Sequence, residues 1–222
     1  MKIIQYSAKG RRANNEDYTI CKQITDGKTL LLIADGMGGY ECGEEAAKIV
    51  ADSVCQSLSK DGEISIGSAI NAANMELSAF KDCKGIDTCG CTLSGVLIKN
   101  NSAQVFWAGD ARVYQFRKGK EIFHTEDHSL VNEMKKIRVL SPEQIERYEN
   151  IVRRAIMGSA DDVVEECEIS LLPGDELLIC SDGLYKDMPV EIAIMKLRSE
   201  GDSFAVSNSK FEDNHSLIYA TI

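Results

Sequence analysis

Four short segments carry acids at wide intervals: Asn15-Glu16-Asp17, Asp35-Gly36-Met37-Gly38-Gly39, Ser181-Asp182-Gly183 and Asp213-Asn214. Each acid stands at the end of an apolar run or beside small residues. Carboxylates placed this way suit a hard divalent cation, which takes oxygen ligands. Their separation along the chain means that a whole domain, and not one local loop, would have to bring them together. Each also has a plainer reading when taken singly. Asp-Gly is a common turn, Asp213-Asn214 a loop before an edge strand, and Arg12 a solvated charge. The run Gly36-Met37-Gly38-Gly39 before a helix resembles an anion-binding loop. It lacks both the Lys-Ser/Thr pair and the G-x-G-x-x-G spacing of nucleotide loops. No Cys is followed six residues later by Arg, so a thiolate phosphatase loop is absent.

The elements that must position these acids follow from periodicity. Residues 2–8, 18–24 and 29–34 read as strands, and the continuous apolar run Thr29–Ala34 as a buried one. Residues 43–59 read as a helix, with Ala46, Ala47, Ile49, Val50, Val54 and Leu58 at helical spacing. A second helix is predicted at 66–82, carrying Ile70, Ala73, Leu77 and Phe80. Strands are predicted at 92–98, 103–108, 112–117 and 121–124, with turn signals at Asn100-Asn101 and Lys118-Gly119. Residues 128–158 read as helical and basic, with Lys135, Lys136, Arg138, Arg147, Arg153 and Arg154. Strands return at 163–171 and 175–180 around the turn Pro173-Gly174-Asp175. A helix near 189–199 precedes a last strand at 216–221. Strands, a helix pair, more strands, then a helix and a strand predict an α+β fold, which two antiparallel sheets covered by helices would satisfy.

At 222 residues the chain suits one domain, 1–222, with a substantial core. A formal net charge of −10 argues against general nucleic-acid or anionic-membrane binding, both of which need a basic surface. No apolar run approaches the roughly 20 residues of a membrane span, and the start of the chain does not read as a signal peptide. The eight cysteines therefore read as reduced thiols of a cytoplasmic protein. Cys83, Cys89 and Cys91 form the only cluster, and no second Cys/His pair at finger spacing completes a zinc site. Nothing in the sequence calls for more than a monomer.

Seven segments, in order, resemble the PPM family of metal-dependent serine/threonine protein phosphatases, also called protein phosphatase 2C, in its compact bacterial form. They are Arg12-Ala13-Asn14-Asn15-Glu16-Asp17, Asp35-Gly36-Met37-Gly38-Gly39, Gly90-Cys91-Thr92, Gly109-Asp110-Ala111-Arg112, Asp127-His128-Ser129, Ser181-Asp182-Gly183-Leu184 and Asp213-Asn214. The resemblance spans nearly the whole chain. It implies a central β-sandwich of two antiparallel sheets flanked by helices, the four-layer αββα arrangement, with a small helical flap at about 128–158. It implies two Mn2+ or Mg2+ ions, about 3.5–4 Å apart, that lower the pKa of a bridging water for in-line attack on a phosphomonoester. By the same resemblance Asp35 bridges the two ions and the Gly36 carbonyl binds the first. Asp182 and Asp213 hold the second, with Glu16 and Asp17 near it. Asp110 helps to bind a looser third ion, and Arg12 grips two phosphate oxygens as a guanidinium fork does. The implied partners are phosphorylated Ser/Thr proteins and a cognate protein kinase. Asp127 is expected to cap a helix at a strand-to-helix junction.

The chain departs from the family pattern at named positions. Tyr40 stands where His usually follows the glycines, and Tyr is the poorer acid at neutral pH. Ala111 replaces a usual Ser. His215 follows Asp213-Asn214 and is expected on a strand surface. Tyr148-Glu149 replaces a usual His-Pro, and the span from Asp182 to Asp213 is short. Two further roles stay open on these residues: a phosphoprotein-binding pseudophosphatase without turnover, supported by Tyr40 and Ala111, and a partner-switching phosphatase dedicated to one phosphoserine protein.

Overall fold

The computed structural model describes residues 1–222 apart from 26, 38–41, 61–63 and 205–210, and apart from the side chains of 25 and 202. Tyr40 therefore lies outside the described residues. Two five-stranded antiparallel sheets stack face to face. One has the order β1 (Lys2–Ala8), β10 (His215–Thr221), β9 (Glu176–Cys180), β6 (Arg112–Arg117) and β7 (Lys120–His124). The other has the order β2 (Asp17–Thr25), β3 (Lys28–Gly36), β4 (Cys91–Lys99), β5 (Ser102–Ala108) and β8 (Glu165–Ser170).

Strand β3 shows how the layers arise. Leu31 and Ile33 join the core between the sheets, with Val96, Val105, Ile179 and Ile218. Leu30, Leu32 and Ala34 alternate with them and pack under α1 (Gly43–Leu58) and α2 (Ile66–Lys84). A strand covered on both faces shows no polar side, which is why it reads as an unbroken apolar run. The outer face of the first sheet lies under α5 (Asp182–Asp187) and α6 (Val190–Glu200), where Leu184, Ala193, Ile194 and Leu197 meet Tyr114, Leu178 and Leu217. The result is the expected order of helices, sheet, sheet, helices.

Several expectations need correction. Residues 128–158 are not continuously helical. Only α3 (Leu130–Lys135) and α4 (Pro142–Tyr148) form there, because Ser141 caps a fresh helix through a capping box with Gln144 and Pro142 sits in its first turn. The stretch after α4 runs extended, with bridges from Val152 to Ser129 and from Ile156 to Cys91. Asp127 does not cap a helix. Ser129 does so, accepting from the Asn132 N–H, while Asp127 forks onto Arg112 at 2.6 and 2.7 Å. His215 is buried, stacked on Phe211 with Tyr6 nearby, because β10 is a central strand. Cys42 and Cys89, 47 residues apart in sequence, are brought side by side by the fold (Cα–Cα 5.7 Å). Cys83 is exposed and Cys91 buried, so the suspected cysteine cluster does not assemble. No helix among the described residues is long and apolar enough to cross a membrane.

Two glycines give opposite predictions. Gly95 in β4 sits in register between Leu32 and Phe106, and a Cβ there would collide with both side chains. Gly67, at the start of α2, faces open space. Gly95→Ala should destabilise by about 1–3 kcal/mol through overpacking. Gly67→Ala should be neutral or stabilising, by up to about 1 kcal/mol. Thermal melts check this, at about 2–4 °C per kcal/mol for a chain of this size. Shifts of the same sign would refute the packing account.

Candidate active site

The starts of β2 and β10 and the ends of β3, β5 and β9 meet at one end of the sandwich. A cleft of about 990 Å3 opens there, lined by Arg12, Glu16, Asp35, Gly36, Asp110, Asp182 and Asp213. Thus five sequence segments, spread from residue 12 to residue 213, contribute these residues to one site. Asp17 is the exception among the expected residues. It is buried beneath the cleft and does not line it.

The ladder explains the pairing of acids. Asp17 opposes Asp35 in the β2–β3 register, so both carboxyls stand on one face. Asp17 Oδ2 accepts from the Ser181 hydroxyl at 2.7 Å, and Ser181 Oγ accepts from the Ser216 N–H at 2.9 Å. That strap joins the two sheets directly under the cleft. It also places Asp182, the next residue, at the start of α5. Gly36 lets two backbones approach closely. A Cβ there would strike the Gly43 carbonyl, where α1 begins, and the Glu16 side chain. Gly109 adopts φ +114 against Thr92, which turns the chain so that Asp110 faces the acids.

The Asp213 side is held by Asn214. Its Oδ1 accepts from the Glu16 N–H at 2.9 Å, and its Nδ2 donates to Lys9 O and Asn14 O at 3.0 and 2.8 Å. The loop carrying Arg12 is thereby pinned to β10, and Arg12 reaches Asp213 at 2.7 Å. Asn214, Ser181, Tyr185 and Lys186 carry functional geometry without having drawn attention as candidates. Asn214 and Ser181 are adjacent to the acids in sequence, which is the only signal they offer. Tyr185 donates to the Asp110 carbonyl at 3.0 Å beneath the Arg112 guanidinium, which lies 3.6 Å over its ring. Asp127-His128-Ser129 makes no triad: His128 Nδ1 accepts from the Gly109 N–H and Ser129 caps α3.

Burial dominates the electrostatics. It pushes Asp17 up to about 6 against the Ser216 and Ser181 hydrogen bonds, with Asp182 adding to the rise. Burial, then Asp17, Asp182 and Asp110, hold Asp35 well above the usual carboxylate range. Burial and Asp182 bring Asp110 to about 7, with Lys186 opposing. Glu16 is also raised, chiefly by burial, and Arg12 opposes.

These residues fit a hard divalent ion. Asp17 Oδ1 and Thr92 Oγ1 are buried without hydrogen-bond partners, the donors are all oxygen, and the acids raise one another's pKa as groups lacking a counter-charge do. Among the described residues no three His, Cys, Asp or Glu side chains converge as they stand. Asp182 is turned to Lys186, Asp213 to Arg12, and Asp17 to Ser181.

Acids gathered at one end of an αββα sandwich, with an arginine at the mouth, define a metal-dependent phosphatase architecture. The chain belongs to the protein phosphatase 2C family, whose model matches residues 4–212. Protein phosphatase PhpP of Streptococcus pneumoniae is 31% identical over 185 residues, 78% of this chain and 74% of that protein. The serine/threonine phosphatase of S. agalactiae shares the fold, with a TM-score of 0.86 at 24% identity over 98% of each chain. So does the catalytic domain of PstP, solved in complex with two manganese ions, with a TM-score of 0.82 at 24% identity over 99% of this chain and 97% of that one.

The raised acids fix a pH dependence. A folded state that holds protons which the unfolded chain releases above about pH 4 is stabilised at low pH and loses that stability as pH climbs through 6 to 7. Asp175, which the Arg117 fork draws down to about 2, stays ionised throughout. Chelated protein should therefore melt lower at pH 8 than at pH 5.5. A net loss of about 1.4 kcal/mol corresponds to roughly 2–4 °C. Added Mn2+ should abolish the difference. A chelated protein more stable at pH 8 would contradict the charge crowding.

Proposed function

We propose that this chain is a metal-dependent serine/threonine phosphoprotein phosphatase. The observation that carries the reading is the convergence of Arg12, Asp35, Gly36, Asp110, Asp182 and Asp213 on one cleft in a chain of this family. Asp35, the Gly36 carbonyl, Asp182 and Asp213 would hold two Mn2+ or Mg2+ ions, with Glu16 and Asp110 beside them. Bound divalent ions neutralise a phosphate dianion and supply a water of lowered pKa. Asp17 acts from below, held by Ser181, and keeps Asp35 in place. Arg12 is about half exposed at the cleft mouth, and its guanidinium suits two oxygens of an entering phosphoryl group. The natural substrates are phosphorylated Ser/Thr proteins produced by a protein kinase, and the site of action is the cytoplasm.

The decisive measurement is phosphate release from a phosphothreonine peptide. Wild-type chain with Mn2+ should turn over, EDTA should stop it, and Asp182→Asn should lower kcat/KM by roughly a hundredfold or more. Activity that survives both EDTA and the substitution rules out the metal-dependent reading. A folded chain that binds Mn2+ and never turns over points instead to a phosphoprotein-binding role.

The basic segment contributes to substrate capture. Arg153 is paired with Glu133, and Arg154 lies 4.0 Å from Glu165. Arg138 and Arg147 are exposed, with Arg147 over the Tyr148 ring. The double charge reversal Arg138→Glu/Arg147→Glu should raise KM for a phosphopeptide several-fold and leave KM for p-nitrophenyl phosphate nearly unchanged. Equal effects on both substrates would rule the segment out of protein recognition.

A further inference from the structure

Of the charged residues lining the cleft among those described, eight are acids and two are cations, Arg12 and Lys186. Arg12 is paired with Asp213 at 2.7 Å. The Lys186 ammonium donates to Asp182 Oδ2 at 2.6 Å and to Asn150 Oδ1 at 2.8 Å. Its side chain is 37% exposed and that of Asp182 is 19% exposed. The field of Asp110 and Asp35 also acts on it.

A lysine four residues after an aspartate is an ordinary helix pair on an open surface. Three features set this one apart. Its acceptor is an acid placed to hold a metal ion, its second acceptor comes from the extended stretch after α4, and two more acids bear on its charge. An ammonium is a compact point charge with three donors, and here two of them are committed inside the cleft. A divalent ion entering the same space would meet that charge at close range.

We propose that Lys186 is a resident cation of the cleft, occupying the side between Asp110 and Asp182 so that this side takes no further divalent ion. The inference rests on the reading of Asp35, Asp182 and Asp213 as metal ligands. It goes further by setting the number of ions: the cleft holds two, and a built-in ammonium does the neutralising where an additional ion would bind.

The test counts ions and needs no turnover. Mn2+ is titrated into the apo chain and the free ion is followed by electron paramagnetic resonance, for wild type, Lys186→Met, Lys186→Gln as a second neutral variant, and Lys186→Arg. Wild type and Lys186→Arg should saturate at two ions per chain. The neutral variants should take a third under conditions where wild type stops at two, a difference of roughly tenfold or more in affinity for that ion. Equal saturation of wild type and both neutral variants overturns the inference, as does a third ion on wild type. If wild type takes up no Mn2+ at all, the phosphatase reading itself falls, and the inference with it.

Discussion

Asp17, Asp35, Asp110 and Asp182 share the end of the sandwich where β2 begins and β3 and β9 finish, and little water reaches Asp17 or Asp110. Burying carboxylates side by side is costly unless something positive or protic answers them. The surroundings divide that task. Ser181 gives Asp17 a hydroxyl, Lys186 gives Asp182 a charge, and Arg12 does so for Asp213. Asp35 has burial and three acids acting on it in the same direction. The position expected to lie between two ions is thus the one whose charge the protein itself answers least.

The backbone makes this crowding rigid. Antiparallel registry sets Asp17 beside Asp35 and Asp35 beside Thr92. The Asp17–Ser181–Ser216 strap then ties the second sheet to the first at the same level. Because the strap runs through the N-cap residue of α5, the position of Asp182 depends on both sheets at once. Gly36, Gly109 and Gly183 let backbones approach where a side chain would collide: Gly36 with Gly43, Gly109 with Thr92, Gly183 with Asn214. The three glycines so placed each flank an acid or follow one directly.

The edge of the cleft is built differently. Residues 130–148 form two short helices with exposed Ile137 and Val139. The extended stretch that follows is fixed, through Val152 to Ser129 and Ile156 to Cys91. Glu149, Asn150 and Val152 reach the cleft from this stretch. Lys186 is thus a physical link between that stretch and the acid cluster.

Much of this was legible in the chain. The apolar run at 29–34, the helix pair at 43–59 and 66–82, and the short strands from 92 to 124 all appear within a few residues of the expected bounds, because each has a local period that burial enforces. The acids and Arg12 were identifiable from residue type and order, and the structure gathers all but Asp17 around the cleft itself. What sequence could not disclose was everything set by contact between distant segments. The buried place of Asp17, the Ser181 strap, the Asn214 latch, the Cys42–Cys89 pair and the Lys186 contact with Asn150 leave no periodic trace. Residues 128–158 misled because alternating charge and apolar residues suit a helix locally, whereas the fold draws the second half of that segment out as an edge against β4. The sequence alone determined which oxygen donors are present and which elements carry them. Tertiary structure alone decided which donors meet and which protein cation answers each, because burial and Coulomb interaction depend on distance in space and not on distance along the chain.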